Sequence, residues 1–276
     1  MARPVPFLMY HELLAGGRSP ARAGEGYARY VIDDAVFREH LDLVRNAGAV
    51  GVAVGVALGA GDAMTPGTGE TGDAHVVLTF DDGCASDLIV AAPVLREAGF
   101  GATFFVTVGH LGTPGFMTHG QLRELADAGF EIGSHGMTHA YMSDLDVADI
   151  RSELTDSKAA LEDIAGCAVQ HFSCPGGRWS REVADSAREA GYRSVCDSRP
   201  VGNAASADRF RLGRFAITKA TTPADIARVA LDGTLGSLRF RSLALGAARA
   251  VLGNRMYDRA RSILLERDRE ASSGPR

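Results

Sequence analysis

The chain has 276 residues, 46% of them hydrophobic and 23% charged, and carries a formal net charge of −5. That length can bury one sizeable core, and one domain of α/β-barrel size accommodates it. The acidic balance removes any general reason to expect a nucleic-acid partner. Met1 to His11 lacks the apolar core of a secretory leader, and the Gly-rich run Ala49 to Ala60 is too short to span a bilayer. Four cysteines without paired spacing (Cys84, Cys167, Cys174, Cys196) read as reduced thiols, so the expected compartment is the cytoplasm.

Pro4 to His11 reads as a first strand, and a loop containing Gly, Arg and Pro follows to about Arg29. Asp33 or Asp34 can cap a helix ending near Asn46, with Val36, Phe37, Leu41 and Val44 on one face. Val50 to Leu58 is expected as a second strand, and Gly59 to Ala74 as a solvated loop. From Val76 a strand–helix alternation is clear. Val76–Phe80 leads to a helix near Asp87–Ala98, and Ala102–Val108 is the next strand. Thr118 caps a helix through Ala128, and Phe130–Gly133 is a short strand. A helical region runs from Ser143-Asp144 to Ala165, and Val169–Cys174 is a strand. Ser180 caps a helix to Ala190, Tyr192–Cys196 is a strand, and a last strand lies near Leu212–Ile217. Six to eight such units in about 220 residues predict a parallel sheet closed into a barrel.

Val76, Val77, Leu78 and Phe80 suit a strand buried on both faces, and that strand ends in Asp81-Asp82-Gly83. Two adjacent carboxylates at a buried strand end are costly unless a cation or proton compensates them. The same residues also suit an ordinary strand-to-helix turn with an Asp cap. Farther on, Ser134-His135-Gly136-Met137-Thr138-His139 offers two imidazoles at i and i+4. One carboxylate with two imidazoles is a metal-ligand set, leaving the second carboxylate free as a base. A third segment, Phe172-Ser173-Cys174-Pro175-Gly176-Gly177-Arg178-Trp179, follows another strand. A glycine amide there can face a developing oxyanion, and Arg178 with Trp179, the only tryptophan, can line a sugar-sized pocket.

Taken together, Thr79-Phe80-Asp81-Asp82-Gly83, His135-Gly136-Met137-Thr138-His139 and Phe172-Ser173-Cys174-Pro175-Gly176-Gly177 resemble the polysaccharide deacetylases of the NodB-homology type, carbohydrate esterase family four. Ala102-Thr103-Phe104-Phe105-Val106, Glu131-Ile132-Gly133-Ser134-His135 and Glu189-Ala190-Gly191-Tyr192 match as well, so the resemblance covers roughly residues 4–220. It implies an α/β fold, a distorted (β/α)7 barrel, and a divalent metal, most often Zn2+, with Co2+, Ni2+ or Mn2+ as alternatives. It further implies Asp82, His135 and His139 as ligands, Asp81 as catalytic base, and the Gly176 amide as an oxyanion donor. Pro175, Gly177, Arg178 and Trp179 are then candidates for substrate contact. The implied reaction removes an N-acetyl group from an amino sugar and releases acetate. Met9-Tyr10-His11 resembles the opening strand of the exopolysaccharide amino-sugar deacetylases, which makes His11 a candidate site residue.

Three departures accompany the resemblance. Ser173 stands where many members carry an Arg that orients the base. Val195–Pro200 has no counterpart of the family's later Asp/Trp motif, and no histidine follows Leu212–Ile217. The usual general acid is therefore unassigned, with His11, Arg214 or a metal-bound water as candidates to take part. Hydrolysis of a non-sugar C–N bond and a catalytically weak sugar-binding barrel stay open as alternative readings. The expected division is a barrel over 1–234 and a basic amphipathic helical extension over 235–276. Leu235 to Arg269 carries eight Arg against three acidic residues, with interleaved apolar positions. That segment suits a helix against the barrel with snorkelling arginines, or a peripheral contact with an anionic membrane.

Overall fold

The computed structural model describes residues 3–59 and 74–234, within the unit Met1–Thr234. The extension over 235–276 expected from the sequence lies outside the described residues. The elements run β1 (Phe7–Tyr10), β2 (Glu12–Leu14), α1 (Glu25–Ala28), β3 (Val31–Asp33), α2 (Asp34–Asn46), β4 (Ala49–Val52), α3 (Val54–Leu58) and β5 (Ala74–Asp82). A π-helical turn, Asp87–Ala91, opens into α4 (Ala92–Ala98). Then come β6 (Thr103–Val106), α5 (His119–Asp127), β7 (Glu131–Ser134), α6 (Val147–Ala165), β8 (His171–Ser173), α7 (Arg181–Glu189), β9 (Ser194–Cys196), β10 (Phe215–Ala216) and α8 (Pro223–Asp232).

Seven strands pair in the order β10-β1-β5-β6-β7-β8-β9, with β4 beside the first half of β5, and all these pairings are parallel. A parallel bridge from Cys196 to Leu212, three residues before β10, brings the curled sheet back round toward β1. This is the distorted (β/α) barrel expected. Its strands are apolar because both faces are covered: Phe7, Leu8, Val76, Val77, Leu78, Phe80, Phe104, Phe105 and Val195 are fully buried. Phe80 stacks on Phe104 at 4.8 Å and on Tyr10 at 5.4 Å, linking three neighbouring strands.

Several local signals translate directly. Asp33 caps α2 through Ala35 N–H, Ser180 caps α7 through Val183 N–H, and Thr118 with Gln121 forms a complete capping box on α5. The strand expected over Val50–Leu58 is corrected: β4 stops at Val52 and Val54–Leu58 is helix α3. The start of α3 is satisfied from elsewhere in the fold. Val54 N–H donates to Thr103 Oγ1 at 2.8 Å, and Gly55 N–H donates to the Glu131 carboxylate at 3.0 Å. A carboxylate at that end also complements the helix dipole. The helix expected from Ser143 starts later, with Asp146 as its cap. The stretch expected as loop between His11 and Arg29 contains β2 and α1, and β2 pairs with β3 in a separate two-stranded sheet.

Candidate active site

The chemical motifs meet at one rim because parallel strands deliver their carboxyl ends to one side. Asp81 and Asp82 close β5, His135 follows β7, Ser173 closes β8, and His11 follows β1. Asp82 and His139 hold left-handed backbone angles, with φ of 85° and 65°. Outside glycine such angles store strain that the surroundings must override. Glu153 of α6 does so for the histidine turn, accepting from Met137 N–H at 2.7 Å and Thr138 N–H at 3.0 Å.

The two aspartates have separate surroundings. Asp81 is clamped by Arg214, whose Nη1 donates to Oδ1 and whose Nη2 donates to Oδ2, each at 2.7 Å. Arg214 is fully buried. Its Nη2 also donates to Ser173 Oγ at 2.7 Å, its Nη1 to Thr79 Oγ1 at 3.2 Å, and its Nε to the Asp197 carbonyl at 3.1 Å. Ser173 Oγ in turn donates to Asp81 Oδ2 at 3.2 Å. Burial alone would raise the Asp81 pKa, but the charge and hydrogen bonds of Arg214 hold it below the usual carboxylate range. The guanidinium missing at position 173 is therefore supplied from the segment before β10, and the small Ser173 side chain shares its donors. Sequence reasoning raised Arg214 only as a candidate for leaving-group protonation; its place beside Asp81 is a tertiary fact.

Asp82 faces imidazoles instead. His135 Nδ1 lies 2.8 Å from the Ser173 carbonyl, which can only accept, so Nδ1 carries the proton and Nε2 a lone pair. That Nε2 lies 3.5 Å from Asp82 Oδ1 and 3.8 Å from Asp81 Oδ2. Burial lowers His135 to about 4, so it is neutral near pH 7 and brings no positive charge there. His139 Nε2 lies 3.1 Å from the same Asp82 oxygen, which is buried and has no well-directed hydrogen bond. The His135 lone pair and the Asp82 carboxylate, 3.5 Å apart, repel unless a cation lies between them. One ligand atom each from Asp82, His135 and His139 lies within 4.8 Å of the others. The donor set fits a divalent metal such as zinc.

Other predicted residues distribute around this pair. The His11 ring stacks on Tyr30 at 4.4 Å and its buried Nδ1 has no hydrogen-bond partner. Burial lowers its pKa, against the raising fields of Asp82 and Asp81. Gly176 has φ 60° and ψ 15°, and a Cβ there would lie 2.7 Å from the Tyr141 ring. Tyr141 is 40% exposed, with the buried Arg178 guanidinium 4.4 Å from its ring centroid. Pro175 is buried beside them. Trp179 is not gathered in the same way. Its Nε1–H donates to the Phe210 carbonyl at 2.7 Å, Arg211 packs on its ring at 4.2 Å, and it lines a surface cavity with Arg181, Arg188 and Asp208. The cysteines near the site, Cys84 and Cys174, are buried, and burial pushes both thiols well up, as suits inert packing residues.

Sequence reasoning missed Tyr141, Glu153 and His110. The latter places Nδ1 3.4 Å from the Asp82 carbonyl and its ring 5.5 Å from that of His139. None of the three belongs to a spacing that signals chemistry.

Comparison with known proteins bears on the family and the fold. Residues 68–195 match the family model for polysaccharide deacetylase. YxkH of Bacillus subtilis (strain 168), named for the polysaccharide deacetylases, is 27% identical over 207 residues, covering 74% of this chain and 67% of that protein. A chitooligosaccharide deacetylase of Bradyrhizobium sp. (strain ANU 289) is 32% identical over 130 residues, covering 45% of this chain and 56% of its own length. Among solved structures, the Streptococcus pyogenes deacetylase PplD superposes with a TM-score of 0.69 at 22% identity, covering 86% of this chain and 100% of that one. IcaB from Ammonifex degensii gives 0.66 at 22% identity, with 83% and 97% coverage. At that identity the structural likeness establishes the fold.

Proposed function

We propose that this chain, whose residues 68–195 match the polysaccharide deacetylase family model, is a metal-dependent hydrolase removing an N-acetyl group from an amino-sugar-containing substrate. The observation carrying this reading is the divided aspartate pair: Asp81 held by a buried guanidinium, Asp82 facing two imidazoles. Asp82, His135 and His139 would hold the metal, with zinc the expected ion. When bound, it supplies Lewis acidity toward the acetamide carbonyl and water.

The chain's own residues do the rest. Asp81, kept ionised by Arg214, accepts the proton of the attacking water and returns it to the departing amine nitrogen. The amide C–N bond breaks, and acetate and the free amine leave with Asp81 restored. The Gly176 amide donates to the oxyanion that develops on the carbonyl. His11, neutral in its buried place, keeps an unspent Nδ1 for the reacting groups. Tyr141, Pro175 and Gly177 form a wall for the sugar ring. Relatives named chitooligosaccharide deacetylase favour an N-acetylated amino sugar over another amide.

The test is acetate release from N-acetylglucosamine oligomers by protein loaded with zinc or cobalt, with Asp81→Asn and Asp82→Ala alongside. Binding of an oligomer without acetate release from any N-acetylated amino sugar would replace the enzyme reading by a sugar-binding one. Full metal content in Asp82→Ala would refute the ligand assignment.

A further inference from the structure

The segment between β2 and β3 carries a guanidinium that the mechanism above does not use. Arg22 is half-buried and forms no ion pair with a carboxylate among the described residues. Other arginines are paired with carboxylates: Arg188 with Asp185, Arg199 with Asp197, Arg214 with Asp81. The Arg22 side chain is nonetheless held in place. Its Cζ lies 5.0 Å from the Phe116 ring centroid and 5.8 Å from that of Tyr27, and its Nη2 donates to the His110 ring. Neighbouring backbone is pinned too. Ala21 N–H donates to the buried Glu12 carboxylate at 2.9 Å, and a Cβ on Gly115 would sit 2.5 Å from Ala21 Cα.

Its position bears on the substrate. His110, which receives the Arg22 bond, reaches the Asp82 carbonyl and neighbours His139, whose side chain is 24% exposed. Arg22 is thus one side chain, His110, removed from the metal-ligand cluster. Of its five N–H donors, only those on Nη2 are used. A preorganised guanidinium with spare donors and no internal anion matches a bidentate carboxylate or phosphate.

We propose that Arg22 is an anion-recognition residue that selects amino-sugar substrates bearing a carboxylate or phosphate on or beside the N-acetylated ring. This deepens the deacetylase reading and rests on it for the substrate's sugar part.

Three probes test it: N-acetylglucosamine 1-phosphate, N-acetylmuramic acid and the neutral methyl glycoside of N-acetylglucosamine. Calorimetric binding to the metal-free protein and kcat/KM of the metal-loaded protein are both read. At least one anionic probe should exceed the neutral one by about 10- to 100-fold, the worth of one charge-assisted contact. Arg22→Gln should erase that preference, Arg22→Lys should keep part of it, and Arg38→Gln, remote on α2 and paired with Glu97, should leave it intact. Which anion is preferred assigns phosphate or carboxylate. Equal preference in wild type and Arg22→Gln, with both folded by thermal melt, overturns the proposal, as does binding of free phosphate or acetate without preference among the sugars. If no probe releases acetate but the binding preference holds and is lost in Arg22→Gln, the subsite stands and the deacetylase reading falls.

Discussion

Replacing Arg214 by Met tests the site at its most exposed assumption, that a guanidinium from the segment before β10 keeps Asp81 ionised. The substitution removes two 2.7 Å hydrogen bonds to Asp81 and one of 2.7 Å to Ser173, all in fully buried surroundings. Breaking a buried pair by removing one partner costs about 3–5 kcal/mol, because the remaining charge is left uncompensated. For a domain of this size that corresponds to a Tm lower by roughly 6–20 °C. The protein can relieve part of the cost by protonating Asp81, since burial unopposed pushes its pKa up. A protonated Asp81 cannot accept a proton, so kcat/KM at fixed pH falls about tenfold for each unit its pKa rises above that pH. Denaturant unfolding of the metal-free protein measures the first effect, and kcat/KM against pH measures the second. In the double variant with Asp81→Asn, the extra loss from Arg214→Met should shrink markedly, as a double-mutant cycle would show. Arg214→Met with a Tm within 2 °C of wild type and an unmoved acidic limb would refute the assignment.

Asp82→Asn and His139→Ala should each lower bound zinc well below stoichiometric amounts, measured by elemental analysis after dialysis, while a surface change such as Arg45→Gln should not. Gly176→Ala forces a side chain into a left-handed backbone 2.7 Å from the Tyr141 ring; kcat should fall at least tenfold, and the double change with Tyr141→Ala should recover only the steric part. His40, buried against Tyr10, has its pKa lowered to about 4 by burial, against about 6.5 in the unfolded chain. As pH falls through that window the unfolded chain binds the proton first, so His40 makes stability decline from pH 6.5 toward 4, by roughly 3 kcal/mol in all. Unfolding curves of wild type and His40→Gln across that range should converge in slope only below pH 4.

What could be read from the sequence was local. The β5 run and its Asp-Asp-Gly end, the i, i+4 histidines and the caps at Asp33, Thr118 and Ser180 each lie within a few residues. Strand and helix periodicity follow from backbone geometry, and a cap needs only its own helix's first turn. The alternation of strands and helices then implied a parallel sheet, and with it a common rim for motifs far apart in the chain. Misreadings came where partners are distant. Helix α3 reads as strand because its apolar run carries no helical period, and the groups that satisfy its start are Thr103 and Glu131. Elements as short as β2, β3 and α1 offer too few residues for any period to show.

The tertiary structure alone decided the support of the base. Arg214 lies 133 residues from Asp81, and no spacing rule connects them. The guanidinium beside Asp81 comes from the segment before β10 and not from position 173, which holds a serine. The residue types required by the chemistry are written in the sequence. Which side chain supplies a buried charge depends on where the closed sheet brings its ends together.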